Sequence, residues 1–158
     1  MYRFKSGQFK NMRIEFVMLR YAPALYRLVE WAEDKPHLAR IVADFNRLRA
    51  ALRHAPVRVA CAGRNCEREP KWMTLPLDYN YDLLPSPYFW CDKHAPAEDV
   101  TGITQKLEIH FDVQRLYPAK RDRSAIHHSV LRALGIKKAS RVTEQFALKF
   151  FCRLSHFF

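Results

Sequence analysis

The sequence predicts an α+β protein, with helical N- and C-terminal segments around a small central β-hairpin module. Three observations lead there. Residues 1–56 and 101–158 place apolar side chains mainly at helical spacing, whereas 57–100 holds five of the nine prolines, three of the four cysteines and two short aromatic runs. Inside that middle stretch, Cys61, Cys66, Cys91 and His94 form two closely spaced pairs. The net charge also changes sign along the chain, from +7 over 1–60 to −3 over 61–100 and +7 over 101–158. Segments 1–56, 57–100 and 101–158 are expected to make one compact unit, because four glycines in 158 residues leave little for long flexible linkers.

The elements follow in order. Residues 12–19, MRIEFVML, mix alternation with an apolar run and fit either a strand or a short helix. Pro23 suits the first turn of a helix over about 23–33, where Leu25, Leu28, Val29 and Ala32 recur at helical spacing. The clearest helix covers 34–54. Asp34 is placed to cap it, Pro36 falls early, and Leu38, Ile41, Val42, Phe45, Leu48 and Leu52 share one arc of about 120°. Arg40 and Arg47 share the opposite face, with Asp44 able to pair with either. Ala55-Pro56 ends the element.

Aromatic and apolar runs bounded by turn residues give strands near 70–76 and 86–91. Over 106–113, Leu107, Ile109, Phe111 and Val113 alternate as in a strand, although Ile103, Leu107, His110 and Gln114 would also trace a helix face. Two helices then flank a turn at Gly135, a residue suited to the positive φ at which helices often end. Ser124 is placed to cap the first and Ser140 the second. Phe146, Phe150, Arg153 and Phe157 form a stripe on the second helix, with Cys152 expected as a small core residue. Of the adjacent His127 and His128, one is expected to be buried and one exposed, since neighbours on a helix point about 100° apart. Asp78 and Asp82 read as a solvated loop.

The cysteine and histidine pairs carry the sharpest chemical signal. Cys61-x4-Cys66 is followed by 24 residues and then by Cys91-x2-His94. Zinc takes four tetrahedral ligands, and thiolate and imidazole are its usual structural choices. Each short gap lets one tight turn present two ligands. Gly63 admits unusual backbone angles in the first turn and Asn65 tolerates the left-handed region. His54 or His110 could replace His94. Separate buried thiols, a Cys61–Cys66 redox pair and secreted disulfides are the competing readings. Over about residues 58–96 the layout resembles treble-clef and zinc-ribbon modules, departing from their commonest form in a first gap of four residues. A closed set of four soft ligands implies a structural Zn2+ ion that folds a proline-rich segment, not a catalytic one. The paired motifs of nucleobase deaminases, a P-loop, a GxGxxG turn and a nucleophile motif are all absent from the sequence, so no enzyme is expected.

Charge bears on the partner. A net charge of +11 favours an anionic partner. The expected function is non-enzymatic nucleic-acid binding, to DNA or RNA, with Arg40 and Arg47 on one helix and Lys120, Arg121 and Arg123 on a loop meeting phosphates. Lys137, Lys138 and Arg141 would open the last helix. There the stretch SVLRALGIKKASRVTEQFAL resembles a helix-turn-helix. The alternative is a protein-binding subunit or inhibitor that docks on an acidic partner or within a nucleoprotein (mobile-element or RNA-guided) complex, using the acidic aromatic stretch 78–90 as a contact. The absence of a run of 18 apolar residues and of a small-residue cleavage pattern near the N-terminus leads to the expectation of a cytoplasmic or nucleoid-associated protein, neither secreted nor membrane-bound.

Overall fold

The computed structural model describes residues 1–76, 87–96, 104–108 and 120–154. It confirms the α+β class: helices α1 (Ile14–Ala32), α2 (Ala39–Arg53), α3 (Lys120–Ala133) and α4 (Glu144–Leu154) accompany strands β1 (Trp72–Pro76), β2 (Tyr88–Trp90) and β3 (Thr104–Glu108). The chain divides into two units, one made of residues 1–55 with 138–158 and the other of residues 56–137. The two ends of the chain thus share a unit, an association that a segment-by-segment reading of the sequence did not draw.

In the first unit α1, α2 and α4 all contact one another. Helix α1 joins what the sequence suggested were separate elements at 12–19 and 23–33. Pro23 has no N–H to offer the Leu19 carbonyl, and its ring crowds that turn. The helix accommodates this at Tyr21, whose φ of −131° and ψ of 28° are not helical, and then resumes. Arg20 braces the kink, its guanidinium lying 5.6 Å from the Phe16 ring centre and donating to the Val142 carbonyl at 3.3 Å.

The core of this unit follows the predicted stripes. Leu25, Val29 and Ala32 are buried on α1, and Ile41, Phe45, Leu48 and Leu52 on α2. Tyr26 and Phe45 meet edge to face, their ring centres 4.9 Å apart. Pro36 begins a short 3-10 turn, Pro36–Leu38, ahead of α2, and Asp34 makes no cap. On α4 the buried residues are Ala147, Phe151 and Leu154. The stripe expected to pack, Phe146 and Phe150, lies one position off that face: Phe146 is exposed, Phe150 half-buried, and Cys152 exposed instead of buried. Phe157 lies outside the described residues.

Before α1 the chain doubles back. Phe4 donates to Met12 at 3.0 Å and Asn11 to Phe4 at 2.8 Å, with Gly7 and Asn11 in the left-handed region. Phe4 and Phe9 are buried under this loop.

The second unit holds the sheet, in the order β2-β1-β3 and antiparallel throughout. Trp72 faces Trp90 across β1 and β2, and Met73 faces Phe89. The predicted hairpin is therefore present, and β3 adds a third strand on the other edge of β1, starting at Thr104. The expected strand beyond 108, with His110, lies outside the described residues, as do Asp78 and Asp82. Helix α3 buries Ile126, His127, Val130 and Leu131 while His128 stays exposed. It ends as its glycine predicts: Gly135 has φ +82°, donates to the Arg132 carbonyl at 2.9 Å, and Ile136 donates to Leu131 at 2.8 Å. Arg58 satisfies another terminal carbonyl, donating to Ala133 at 2.6 Å.

The last helix departs from the helix-turn-helix outline. Such motifs join their helices by a turn of about 3–4 residues. Here residues 134–143 intervene, including a short 3-10 turn, Ala139–Arg141. Ser140 caps nothing, and Thr143 does the work instead, its Oγ1 accepting from the Phe146 N–H at 3.1 Å. Lys137, Lys138 and Arg141 consequently sit on the connection and not on a recognition helix. Among the described residues no helix is long and apolar enough to cross a membrane.

Candidate metal centre

The first pair of ligands comes from the turn after Ala60. Cys66 donates its N–H to the Gly63 carbonyl at 3.2 Å, closing the loop CAGRNC, and Asn65 adopts the left-handed conformation at φ 53°. Gly63 has a different task from the one its type suggested. Its backbone is not left-handed; instead, a Cβ there would meet the His94 ring, 2.3 Å from Nδ1. The second pair comes from the turn after β2. His94 and Ala95 both donate to the Cys91 carbonyl, at 3.1 and 2.9 Å, folding Cys91–His94 into a single turn.

Several bonds fasten these knuckles to each other and to the sheet. Ala62 donates to the Phe89 carbonyl at 2.8 Å, which covers that acceptor of strand β2. Asp92 reaches β1: its Oδ1 accepts from the Trp72 indole N–H at 2.8 Å, and its Oδ2 pairs with Lys71 at 2.8 Å. That carboxylate raises the Lys71 pKa, by hydrogen bonding first and by charge second. Trp90 donates its indole N–H to Thr74 Oγ1 at 2.9 Å.

Cys61, Cys66, Cys91 and His94 converge, their ligand atoms all within 4.8 Å of one another. Cys66 Sγ lies 3.7 Å from Cys91 Sγ, and His94 Nδ1 lies 3.7 Å from Cys61 Sγ and 3.6 Å from Cys91 Sγ. These are the separations a tetrahedral ion imposes. With Zn–S near 2.3 Å and Zn–N near 2.0–2.1 Å, tetrahedron edges come to about 3.8 Å between sulfurs and about 3.6 Å between sulfur and nitrogen. The cysteines are free, and their convergence with His94 on one point is not the arrangement of separate buried thiols. The group could hold a metal ion such as zinc.

Cys61 Sγ accepts two backbone N–H groups, from Gly63 at 3.4 Å and Cys91 at 3.3 Å, which tie it to both knuckles. For Cys91, burial opposes ionisation most strongly, yet the N–H groups of His94 and Lys93 and hydrogen bonds from Cys66 and Cys61 outweigh it and the pKa is lowered. Cys66 moves the other way. The Arg68 N–H pulls its thiol down, but burial and the neighbouring Cys91 and Cys61 thiols together push it up. Cys66 and Cys91 thus move in opposite directions, and a divalent cation between them would favour the thiolate at both.

His94 is the histidine in the cluster, not His54, which is exposed at the end of α2; His110 lies outside the described residues. The positions predicted to meet phosphates are dispersed. Arg40, Lys138 and Arg141 are exposed in the first unit, as is Arg47, which forms an ion pair with Asp44 at 3.2 Å. Lys120, Arg121 and Arg123, expected on a loop, belong to the first turn of α3, so Ser124 lies within that helix and not at its cap; Arg121 and Lys137 are exposed and Arg123 half-buried in the second unit, and the Lys120 side chain lies outside the described residues. Two functional parts of the centre escaped the sequence reading: the close approach of Gly63 to His94, and Asp92 as the clamp on Trp72 and Lys71. A charged residue between two ligands, beside two strands that carry one tryptophan each, was the available signal for the second. The chain matches no protein-family model, and neither a curated protein nor a solved structure shows significant similarity to it.

Proposed function

We propose that this is a non-enzymatic nucleic-acid-binding protein built on a structural Cys3His zinc centre of the zinc-ribbon or treble-clef kind. One observation carries the reading: the unit that joins residues 1–55 to residues 138–158 holds most of the positive charge. Residues 1–55 with 138–158 contain 15 Lys and Arg against 6 Asp and Glu, a net +9, while residues 56–137 are close to balanced at +2. A concentrated positive body of this kind attracts a polyanion and releases its counterions. The donor set supports a structural ion, because Cys61, Cys66, Cys91 and His94 would together complete a tetrahedron and leave no position for a substrate.

Binding measured by anisotropy to single- and double-stranded DNA and to RNA tests the proposal. Affinity should fall steeply as salt rises from 50 to 200 mM, by about 10³-fold or more if six phosphates are contacted. Salt-insensitive or absent binding to all three would overturn it.

A second reading draws on the near-neutral unit. Tyr88 is 64% exposed on β2, its ring centre 6.2 Å from that of Trp90. An exposed tyrosine beside a tryptophan suits a protein contact, so the same chain could hold nucleic acid through one unit and a protein through the other within a nucleoprotein complex. A pull-down that survives nuclease treatment and is lost in Tyr88→Ala supports this reading; one insensitive to Tyr88→Ala counts against it.

A further inference from the structure

The doubled-back N-terminal loop, α1 and the turn before α2 enclose a cleft of about 370 Å³. Tyr2, Leu28, Trp31 and Ile41 supply apolar and aromatic walls, while Lys5, Ser6, Gln8 and His37 supply polar groups. Among the described residues no carboxylate lines it. The volume falls at the small end of the roughly 300–1,000 Å³ usual for ligand clefts, which fits one planar ring system better than a folded peptide segment.

Trp31 is the unusual wall. It is 58% exposed, a large apolar surface left to solvent in the unit that carries +9. It is also held in place. Lys35 sits 4.0 Å from the centre of its ring and donates to the Trp31 carbonyl at 2.6 Å, without itself lining the cleft. An indole fixed before binding loses little freedom when a ligand stacks on it. Phe9, buried beneath the loop, also lines the cleft, and Gly7, in the left-handed conformation, turns the loop that forms its wall.

We propose that this cleft takes a single unpaired nucleobase of a bound strand, stacked against Trp31, with Ser6 and Gln8 available to the base edge and Lys5 to the adjoining phosphate. The inference rests on the nucleic-acid reading above and narrows it to single-stranded or locally opened strands. Three features select this occupant: flat aromatic walls, polar groups able both to donate and to accept, and a positive surround without a carboxylate at the cleft. Stacking on aromatic side chains tolerates any base, because every base has a π face.

The test uses the full-length zinc-loaded protein and ten-nucleotide strands of thymidine or uridine, each compared with a strand of equal length whose central residues are abasic. Trp31→Ala should weaken binding to the base-bearing strand by about tenfold or more. Trp31→Phe should retain most of the affinity. The abasic strand should bind the wild-type protein about as weakly as the intact strand binds Trp31→Ala, with the salt slope unchanged in both cases. Zinc content and helical signal confirm that the variants are folded. Salt-dependent binding that is indifferent to the bases and to Trp31 overturns this inference alone, as does an equal loss on both strands. Absence of binding to any of these strands overturns this inference, and absence of binding to duplex DNA as well removes the broader reading with it. Trp31-dependent capture of an acidic, tyrosine-bearing peptide in preference to the strands would replace the base with a protein ligand.

Discussion

Gly63 lies against the imidazole of His94, so closely that a methyl group on its α-carbon would stand 2.3 Å from Nδ1 and 2.6 Å from Cγ. The two knuckles therefore share more than an ion: one provides the flat surface on which the ligand of the other rests. Gly63→Ala should push the ring away from Cys61 and Cys91 and weaken zinc binding by about 10–100-fold, the range typical when the support of a ligand is lost. Competition with a chromophoric chelator measures it. Unchanged affinity would mean that the ring has room to move, contrary to the packing described.

Removal of the metal should unfold the knuckles but spare the helices of the first unit, which have their own core of Ile14, Met18, Leu25, Phe45 and Leu48. Excess chelator is expected to change tryptophan emission, because Trp72 and Trp90 are tied to the centre through Asp92 and β2, while most far-ultraviolet helical signal persists. Cys66→Ser should give the same emission change without chelator.

The centre should also report pH. Thiols must lose their protons to bind an ion, and in the metal-free protein the Cys66 thiol is held above its ordinary value. Loading zinc near pH 7 should therefore release protons, and affinity should fall as pH drops, by about tenfold per pH unit for each proton displaced. The sign follows from competition: more protons, less thiolate, weaker binding. Chelator competition at pH 6 and pH 7.5 reads the difference, and equal affinities at the two values would contradict thiolate ligation.

Glu144, at the start of α4, acts on the far end of the sequence. Its Oε1 accepts the Arg13 N–H ahead of α1 at 2.9 Å, and its Oε2 pairs with Arg3 at 3.0 Å. Arg13 provides no side-chain cap of its own. Glu144→Ala should cost about 1 kcal/mol, the usual value of a helix cap, because the Arg3 pair is largely exposed and adds little. Thr143→Ala, which removes the cap of α4 itself, should cost about the same. Denaturant midpoints at unchanged slope decide both, and a Glu144→Ala loss confined to low salt would assign the effect to the Arg3 pair instead of the cap.

Much of this molecule was legible in the chain. The 3.6-residue spacing of Ile41, Phe45, Leu48 and Leu52 determined α2 and its buried face, because a helix presents such residues on one side whatever it packs against. The Cys-x4-Cys and Cys-x2-His spacings determined the donor set, because each pair is closed by its own local turn. Gly135 determined the end of α3, since few other residues accept its φ. Local chemistry could not decide questions of distance. Which face of α4 is buried, Ala147 and Phe151 or Phe146 and Phe150, depends on the helices it meets and not on its own apolar content. Whether α1 runs through Pro23 depends on whether the surrounding core repays the lost hydrogen bond. The gathering of residues 1–55 and 138–158 into one unit carrying +9, and the meeting of Gly63 with His94, join residues that sequence separation keeps apart, and only tertiary packing decides which of them meet.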